Sequence, residues 1–273
     1  MELICEIGVN HCGSLATAMA LASEAKACGC DAVKTQLWTT ERVYLPERWD
    51  EMKALELSRD DIAKLKVYCE NLGVELIVTP DEIEDAIFLA DAGFKRIKTS
   101  SQDITNLPFL NEVAKLGLPM IVSTGACSQE EMNLAVFMLA GQIGDKNLTV
   151  LHCVSAYPAP DLEMNVRVIE RMRQQFYGRV GLSDHCMSTT PALLAVACGA
   201  TVFEKHLTFD RTAHGPDHAA SLHPEEMKQY VDAIRRAAVI MGNGIKRVMP
   251  CEQANRARYE QFIAPRNKRE NII

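Results

Sequence analysis

Short apolar runs alternate with longer amphipathic stretches along most of the chain. The runs at 3–8, 32–36, 75–79, 96–99, 120–123, 148–153, 180–183 and 202–206 are brief and built around apolar residues. Such runs predict strands covered on both faces, as in a parallel sheet. The stretches 15–28, 59–72, 82–92, 107–116, 129–139, 166–176, 191–198 and 225–241 read as helices. Ser58 before Arg59-Asp60-Asp61, and Ser128 before Gln129-Glu130-Glu131, predict helix starts with acids in the first turn. Gly73, Gly93, Gly117 and Gly199 follow helical stretches, where a left-handed cap is wanted.

Eight strands, each followed by a helix, predict an α/β fold closed as a (β/α)8 TIM barrel. A doubly wound open sheet is the alternative architecture. No Gly-x-Gly-x-x-Gly run follows the first strand, which weighs against a dinucleotide-binding version. Two regions depart from the alternation. Residues 39–57 are a long excursion after the second strand, with Trp38, Tyr44 and Trp49 in or beside it, as a lid or binding loop would be. The tail is mixed and basic, with Lys246, Arg247, Arg256, Arg258, Arg266, Lys268 and Arg269. The expected organisation is a barrel over 1–245 and a C-terminal extension over 246–273.

The length of 273 residues suits one barrel, which takes about 250. A formal net charge of -7 disfavours nucleic acid or an anionic membrane as the main partner, yet leaves room for a locally basic pocket. The start, Met-Glu-Leu-Ile-Cys-Glu, has no basic leader, and no run of about 18 apolar residues occurs, so a cytoplasmic enzyme is expected. The ten cysteines are scattered and read as reduced thiols, many of them small core residues.

In barrels of this type the chemistry lies at the C-terminal ends of the strands. Those ends carry Glu6, Asn10 and His11; Lys34 and Gln36; Lys98, Ser101 and Asp103; Ser123; Ser155 and Tyr157; Ser183, Asp184 and His185; and Glu204, Lys205 and His206. Charge in a buried strand is costly unless paired or liganded, so so many polar ends imply one shared cavity. Lys34 and Lys98 suit a phosphate, or a phosphate with a carboxylate; the alternatives are rim ion pairs or a Schiff base. His185 and His206 end neighbouring strands and could share a divalent metal with open positions, though each could equally be a structural hydrogen-bonding group. Asp184 and Glu204 are candidates to orient the two rings. Ser123 and Ser183 could cradle phosphate oxygens, or serve only as loop and cap residues. Glu6 could act as a base, stabilise developing positive charge, or form a structural ion pair. His11, His152, His214 and His218 are given no metal role.

The segments Glu6-Ile7-Gly8-Val9-Asn10-His11, Asp31-Ala32-Val33-Lys34-Thr35-Gln36 and Lys98-Thr99-Ser100-Ser101-Gln102-Asp103 follow one another in order. They continue in Ser123-Thr124-Gly125, His152-Cys153-Val154-Ser155-Ala156-Tyr157-Pro158, Gly181-Leu182-Ser183-Asp184-His185, Glu204-Lys205-His206 and Gly215-Pro216-Asp217-His218-Ala219. In this set the chain resembles the sialic acid synthase family, the phosphoenolpyruvate-dependent synthases of nonulosonic acids, over nearly all of 1–245. The resemblance implies condensation of phosphoenolpyruvate with a sugar aldehyde such as N-acetylmannosamine. It implies Mn2+ or Mg2+ on His185 and His206, and Glu6 as catalytic acid/base. It implies a phosphoenolpyruvate site of Lys34, Lys98, Ser101, Ser123, Ser155 and Ser183, and a sugar side lined by Gln36, Asp103, Tyr157 and Asp217.

Three departures from the family pattern stand out. Ser155 sits where the family commonly has Asn. Thr79-Pro80-Asp81 lacks the aromatic residue usual after that proline. No antifreeze-like domain follows within the 273 residues, although Pro250, Glu252, Asn255, Arg256 and Arg258 resemble the approach to one. A different acceptor, or a partner chain completing the site, are therefore alternative readings, and a homodimer is one possible assembly.

Overall fold

The structure is a computed structural model that describes residues 1–270, with side chains described for 1–263. Eight parallel strands close into a barrel in sequence order. They are β1 (Glu2–Glu6), β2 (Ala32–Leu37), β3 (Glu75–Pro80), β4 (Ile97–Thr99), β5 (Met120–Ser123), β6 (Leu148–Cys153), β7 (Arg179–Asp184) and β8 (Val202–His206). β1 closes the ring by pairing with both β2 and β8, placing Glu6 beside Lys34 on one side and His206 on the other. Each strand is followed by a helix, as the alternation predicts.

Local chemistry explains where the helices start and stop. Ser58 Oγ accepts from the Asp61 amide at 3.1 Å and the Asp61 carboxylate accepts from the Ser58 amide at 3.2 Å, a reciprocal cap for helix Arg59–Leu72. Ser128 and Glu131 repeat the arrangement for helix Gln129–Ile143. Gly73 ends its helix at φ +67°, a left-handed conformation that a side chain would strain.

Packing divides the strand residues into two sets by their alternation. One set points outward to the helices and builds the main core, with Leu3, Cys5, Val33, Val78, Val122, Val150, Leu182 and Phe203 fully buried. The other set points into the lumen, where Ile4, Ala32, Ile77, Ile121, Leu151 and Val202 form a separate apolar cluster made only of strand residues. Gly181 is needed here, because a Cβ at that position would stand 2.1 Å from the Val202 carbonyl oxygen.

The excursion at 39–57 is ordered, with short helices at Thr40–Val43 and Trp49–Lys53. Trp38 is a core residue and not a lid: it is 1% exposed and packs with Val9, Met52 and Leu55. The described residues fall into two compact units, one over 1–238 and one from 239 onward. The first holds the barrel. The second contains the helix Gln253–Glu270. Among the described residues no helix is long and apolar enough to cross a membrane.

Candidate active site

The site begins two residues beyond the apolar lumen cluster. On the same inward face, Ile4 is succeeded by Glu6, Ala32 by Lys34, Ile77 by Thr79, Ile121 by Ser123, Leu151 by Cys153 and Val202 by Glu204. A strand repeats its facing every second residue, so one step along six strands turns an apolar floor into a polar chamber. All six of these polar residues are at most 5% exposed.

A cavity of about 80 Å³ fills this chamber, lined by Glu6, Lys34, Gln36, Lys98, Ser100, Ser101, Ser123, Cys153, Tyr157, Ser183, His185, Glu204, His206 and Asp217. Eleven of the thirteen residues singled out from the sequence therefore converge on one space. Ser155 is the twelfth, and lines a wider outer cavity of about 410 Å³ that shares Gln36, Ser100, Ser101 and Tyr157 with the inner one. Asp103 is the exception. It is a wall residue, absent from both linings, because its carboxylate accepts from Ser100 Oγ at 2.7 Å and closes the turn Ser101–Asp103.

The lysines are held in place by carboxylates. Lys34 forms an ion pair with Glu6 and donates to Thr79 Oγ1 at 3.1 Å. Lys98 Nζ lies 3.7 Å from Glu204 Oε2 and donates to the Thr99 carbonyl at 3.1 Å. Ser183 Oγ donates to the other Glu204 oxygen at 2.8 Å. Burial opposes ionisation of Glu204, but Lys98 and Lys34 together with Ser183 hold its carboxyl well below the usual range. Burial pulls the Lys34 ammonium down to about 8, with Glu204 opposing and Lys98 assisting. Glu6 Oε1 accepts from the Gly8 amide at 2.5 Å. At Gly8, φ is +24° and a Cβ would come within 3.2 Å of both Glu6 Oε1 and Asp217 Oδ2. Glycine there lets the chain turn off β1 against two carboxylates.

The two imidazoles face each other across the chamber, their ring centroids 5.3 Å apart, and Tyr157 stacks on His185 at 4.1 Å. His185 Nδ1 is engaged by the Val154 carbonyl at 2.8 Å, which leaves Nε2 as the ring's other ligating atom. His206 Nδ1 is buried with no hydrogen-bond partner among the described residues, and Asp217 Oδ2 stands 3.4 Å away. Burial, reinforced by His185, pulls His206 well below its ordinary range, so the ring is neutral with a lone pair to give. Glu204 Oε2 and Ser123 Oγ are likewise buried without hydrogen-bond partners. Among the described residues no group of three or more His, Cys, Asp or Glu side chains closes around one point. The donor set thus fits an open site of two imidazoles, with the remaining positions left to water and substrate.

Sequence reasoning paired Asp184 with Glu204 as ring-orienting residues, and neither does that. Asp184 points to the helix side of β7, where it accepts from Tyr230 Oη and the Cys186 amide, both at 2.9 Å. Glu204 serves the lysines. The two are separated by strand parity, a signal available in the sequence. Ser100 and Cys153 also line the inner cavity without having been singled out as site residues. Gly125 brings its backbone against the serines: its amide donates to Ser101 Oγ at 3.1 Å, and a Cβ there would stand 2.1 Å from Ser155 Oγ.

Residues 21–246 match the model of the NeuB family. The N,N'-diacetyllegionaminic acid synthase of Legionella pneumophila is 37% identical, over 97% of this chain and 80% of its own length. The N-acetylneuraminate-9-phosphate synthase of Homo sapiens is 33% identical, over 92% of this chain and 74% of its own. The N-acetylneuraminic acid synthetase of Leptospira borgpetersenii, crystallised with citrate, superposes with a TM-score of 0.88 at 30% identity, covering 95% of this chain and 90% of that one. On these matches the chain belongs to the NeuB family, whose sialic acid synthase-type members share this barrel.

Proposed function

We propose that the protein joins phosphoenolpyruvate to the open-chain aldehyde of an amino sugar, N-acetylmannosamine or a relative, giving a nonulosonic 3-deoxy-2-keto acid and inorganic phosphate. The observation that carries this reading is the buried chamber itself, where two lysines, five hydroxyls and two imidazoles from different strands and the loops that follow them line one space.

Charge balance supports a cation in that chamber. Its lining offers Lys34 and Lys98 against Glu6, Glu204 and Asp217, so the protein supplies no surplus positive charge for a phosphate and a carboxylate. Anions of that charge are costly to desolvate unless positive charge enters with them. His185 and His206 would hold a divalent cation, Mn2+ or Mg2+. Bound there, the cation supplies Lewis-acid stabilisation of the aldehyde oxygen and the missing positive charge.

The chain's own groups do the rest. Lys34 and Lys98 grip the phosphate and carboxylate, and Ser101, Ser123, Ser155 and Ser183 donate hydrogen bonds to their oxygens, fixing the enol carbon against the aldehyde. C3 of phosphoenolpyruvate forms the new bond to the aldehyde carbon, and the aldehyde oxygen takes a proton to become a hydroxyl. Positive charge appears at C2, which faces the Glu6 carboxylate. Water adds at C2 and loses its proton, for which Glu6 is the acceptor. The C2–O bond to phosphate then breaks, the C2 hydroxyl gives its proton to the departing phosphate, and the ketone remains. Gln36, Tyr157 and Asp217 bound the chamber on the side where the sugar would stand. Asp103 acts there through Ser100.

The test is phosphate release from phosphoenolpyruvate in the presence of amino-sugar aldehydes, with and without EDTA. Release matched by an equal amount of keto acid, and abolished by the chelator, is the expected result. Consumption of no aldehyde, or borohydride trapping of pyruvate on Lys34 or Lys98, would replace this reading with another.

A further inference from the structure

Of the three lysines at the strand ends, Lys205 alone does not line the chamber. It stands between Glu204 and His206, so parity turns it to the helix side of β8, where it is 2% exposed. Its ammonium donates to the Cys186 carbonyl, lies 3.8 Å from Asp184 Oδ1 and sits 5.7 Å over the Tyr230 ring. These partners come from β7, from the turn just beyond it and from helix Pro224–Met241. A buried ammonium is costly, and a well-packed apolar residue of similar volume often serves a fold as well or better. What the ammonium adds over such a residue is direction, because it bonds one particular carbonyl.

That carbonyl lies where the sheet gives out. The β7–β8 ladder pairs Ser183 with Glu204 and Asp184 with Lys205, and His185 and His206 come next, past the last pair. Each imidazole-bearing residue is anchored on its far side. His206 pairs with Glu6 of β1, and the His185 carbonyl accepts from the Ala159 amide at 3.0 Å. The Lys205 bond spans the seam between them, from the residue before His206 to the residue after His185. Asp184, which faces the ammonium, is itself held by the Cys186 amide and Tyr230 Oη, both at 2.9 Å.

Resting on the two-imidazole cation site proposed above, we infer that Lys205 is a positioning residue for that site. Acting through the backbone, it holds the turn after β7 against β8 and so sets the separation of His185 and His206. Its loss would leave both imidazoles in the chamber and remove what fixes their spacing.

Mn2+ alone is the probe, titrated into the full chain and read by the electron paramagnetic resonance of the free ion. His206→Ala shows whether the parent's binding is at the imidazole pair. Lys205→Met is expected to weaken Mn2+ binding by about ten- to a hundredfold, the range of a lost outer partner at a metal site. The double variant Lys205→Met, Asp184→Asn also removes the leftover buried charge, and is expected to regain stability to denaturant without regaining Mn2+ affinity. Mn2+ binding within about twofold of the parent in either folded variant would overturn the inference. So would affinity that returns together with stability, or a double variant that does not fold, since each assigns Lys205 to the fold. A parent that binds no Mn2+, or binds it no better than His206→Ala does, overturns the cation site and the inference together, so the two failures are told apart.

Discussion

The floor and the chamber of the lumen are made by the same strands, two residues apart, yet they do opposite things to the fold. Ile4, Ala32, Ile77, Ile121, Leu151 and Val202 remove apolar surface from water with no polar atom to satisfy. Glu6, Lys34, Thr79, Ser123, Cys153 and Glu204 bury polar groups, and Ser123 Oγ and Glu204 Oε2 have no hydrogen-bond partner among the described residues. The floor stabilises the barrel. The chamber costs stability and is arranged around a ligand. One period of the pleat separates a structural layer from a functional one.

That contrast can be broken from either side. The largest effect is expected in the chamber, from Lys98→Met. It removes the cation beside Glu204, so turnover should fall by about a thousandfold or more, the scale of a lost electrostatic contact to the reacting group. It should also lower stability by about 3–5 kcal/mol by leaving a buried carboxylate unpaired. Adding Glu204→Gln should restore most of the stability and none of the turnover, as chemical denaturation and a phosphate-release assay would show. Recovery of both would mean the pair is structural. On the floor, Leu151→Ala should cost about 2–5 kcal/mol through the cavity it leaves, with turnover per folded molecule nearly unchanged.

The smallest effect concerns the outer cavity. Burial, then Asp103, with Asp85 and Glu82 adding, push the Asp81 carboxyl up to about 7, and Lys34 opposes them. Tyr44 shares that wall, its own hydroxyl pushed up to about 12 by burial and then by Asp81. A carboxyl raised on folding favours the native state while protonated, and that contribution is lost as pH rises from its unfolded value through about 7. Asn does not titrate, so the gain in melting temperature of Asp81→Asn over the parent should be larger at pH 8 than at pH 5. An equal gain at both would show that the carboxyl is not raised.

Much of this was legible in the sequence because polar residues at strand ends are conspicuous against aliphatic runs. Lys34, Lys98, His185 and His206 could be placed at one end of one barrel before any coordinates, and they do line one cavity. What escaped were features decided off the strands or by facing. Asp103 is turned into the wall by a 3-10 turn whose hydrogen bond to Ser100 no strand pattern reveals. Trp38, beside the excursion that reads as a lid or binding loop, is buried against Val9, Met52 and Leu55, whereas Tyr44 of the excursion itself lines the outer cavity. Asp184 follows the inward-facing Ser183 by one residue, and that parity sends it to Tyr230 outside the lumen. Asp81 showed only as a missing aromatic until the cavity it lines came into view.

The central claim is that the chamber takes an enolpyruvyl phosphate only together with a divalent cation. Titration calorimetry of phosphoenolpyruvate into the protein, once with Mn2+ and once with EDTA, tests it most directly. Binding at least a hundredfold tighter with the metal, a gain lost for His206→Ala, is the predicted result. Equal affinity in the two arms would contradict it.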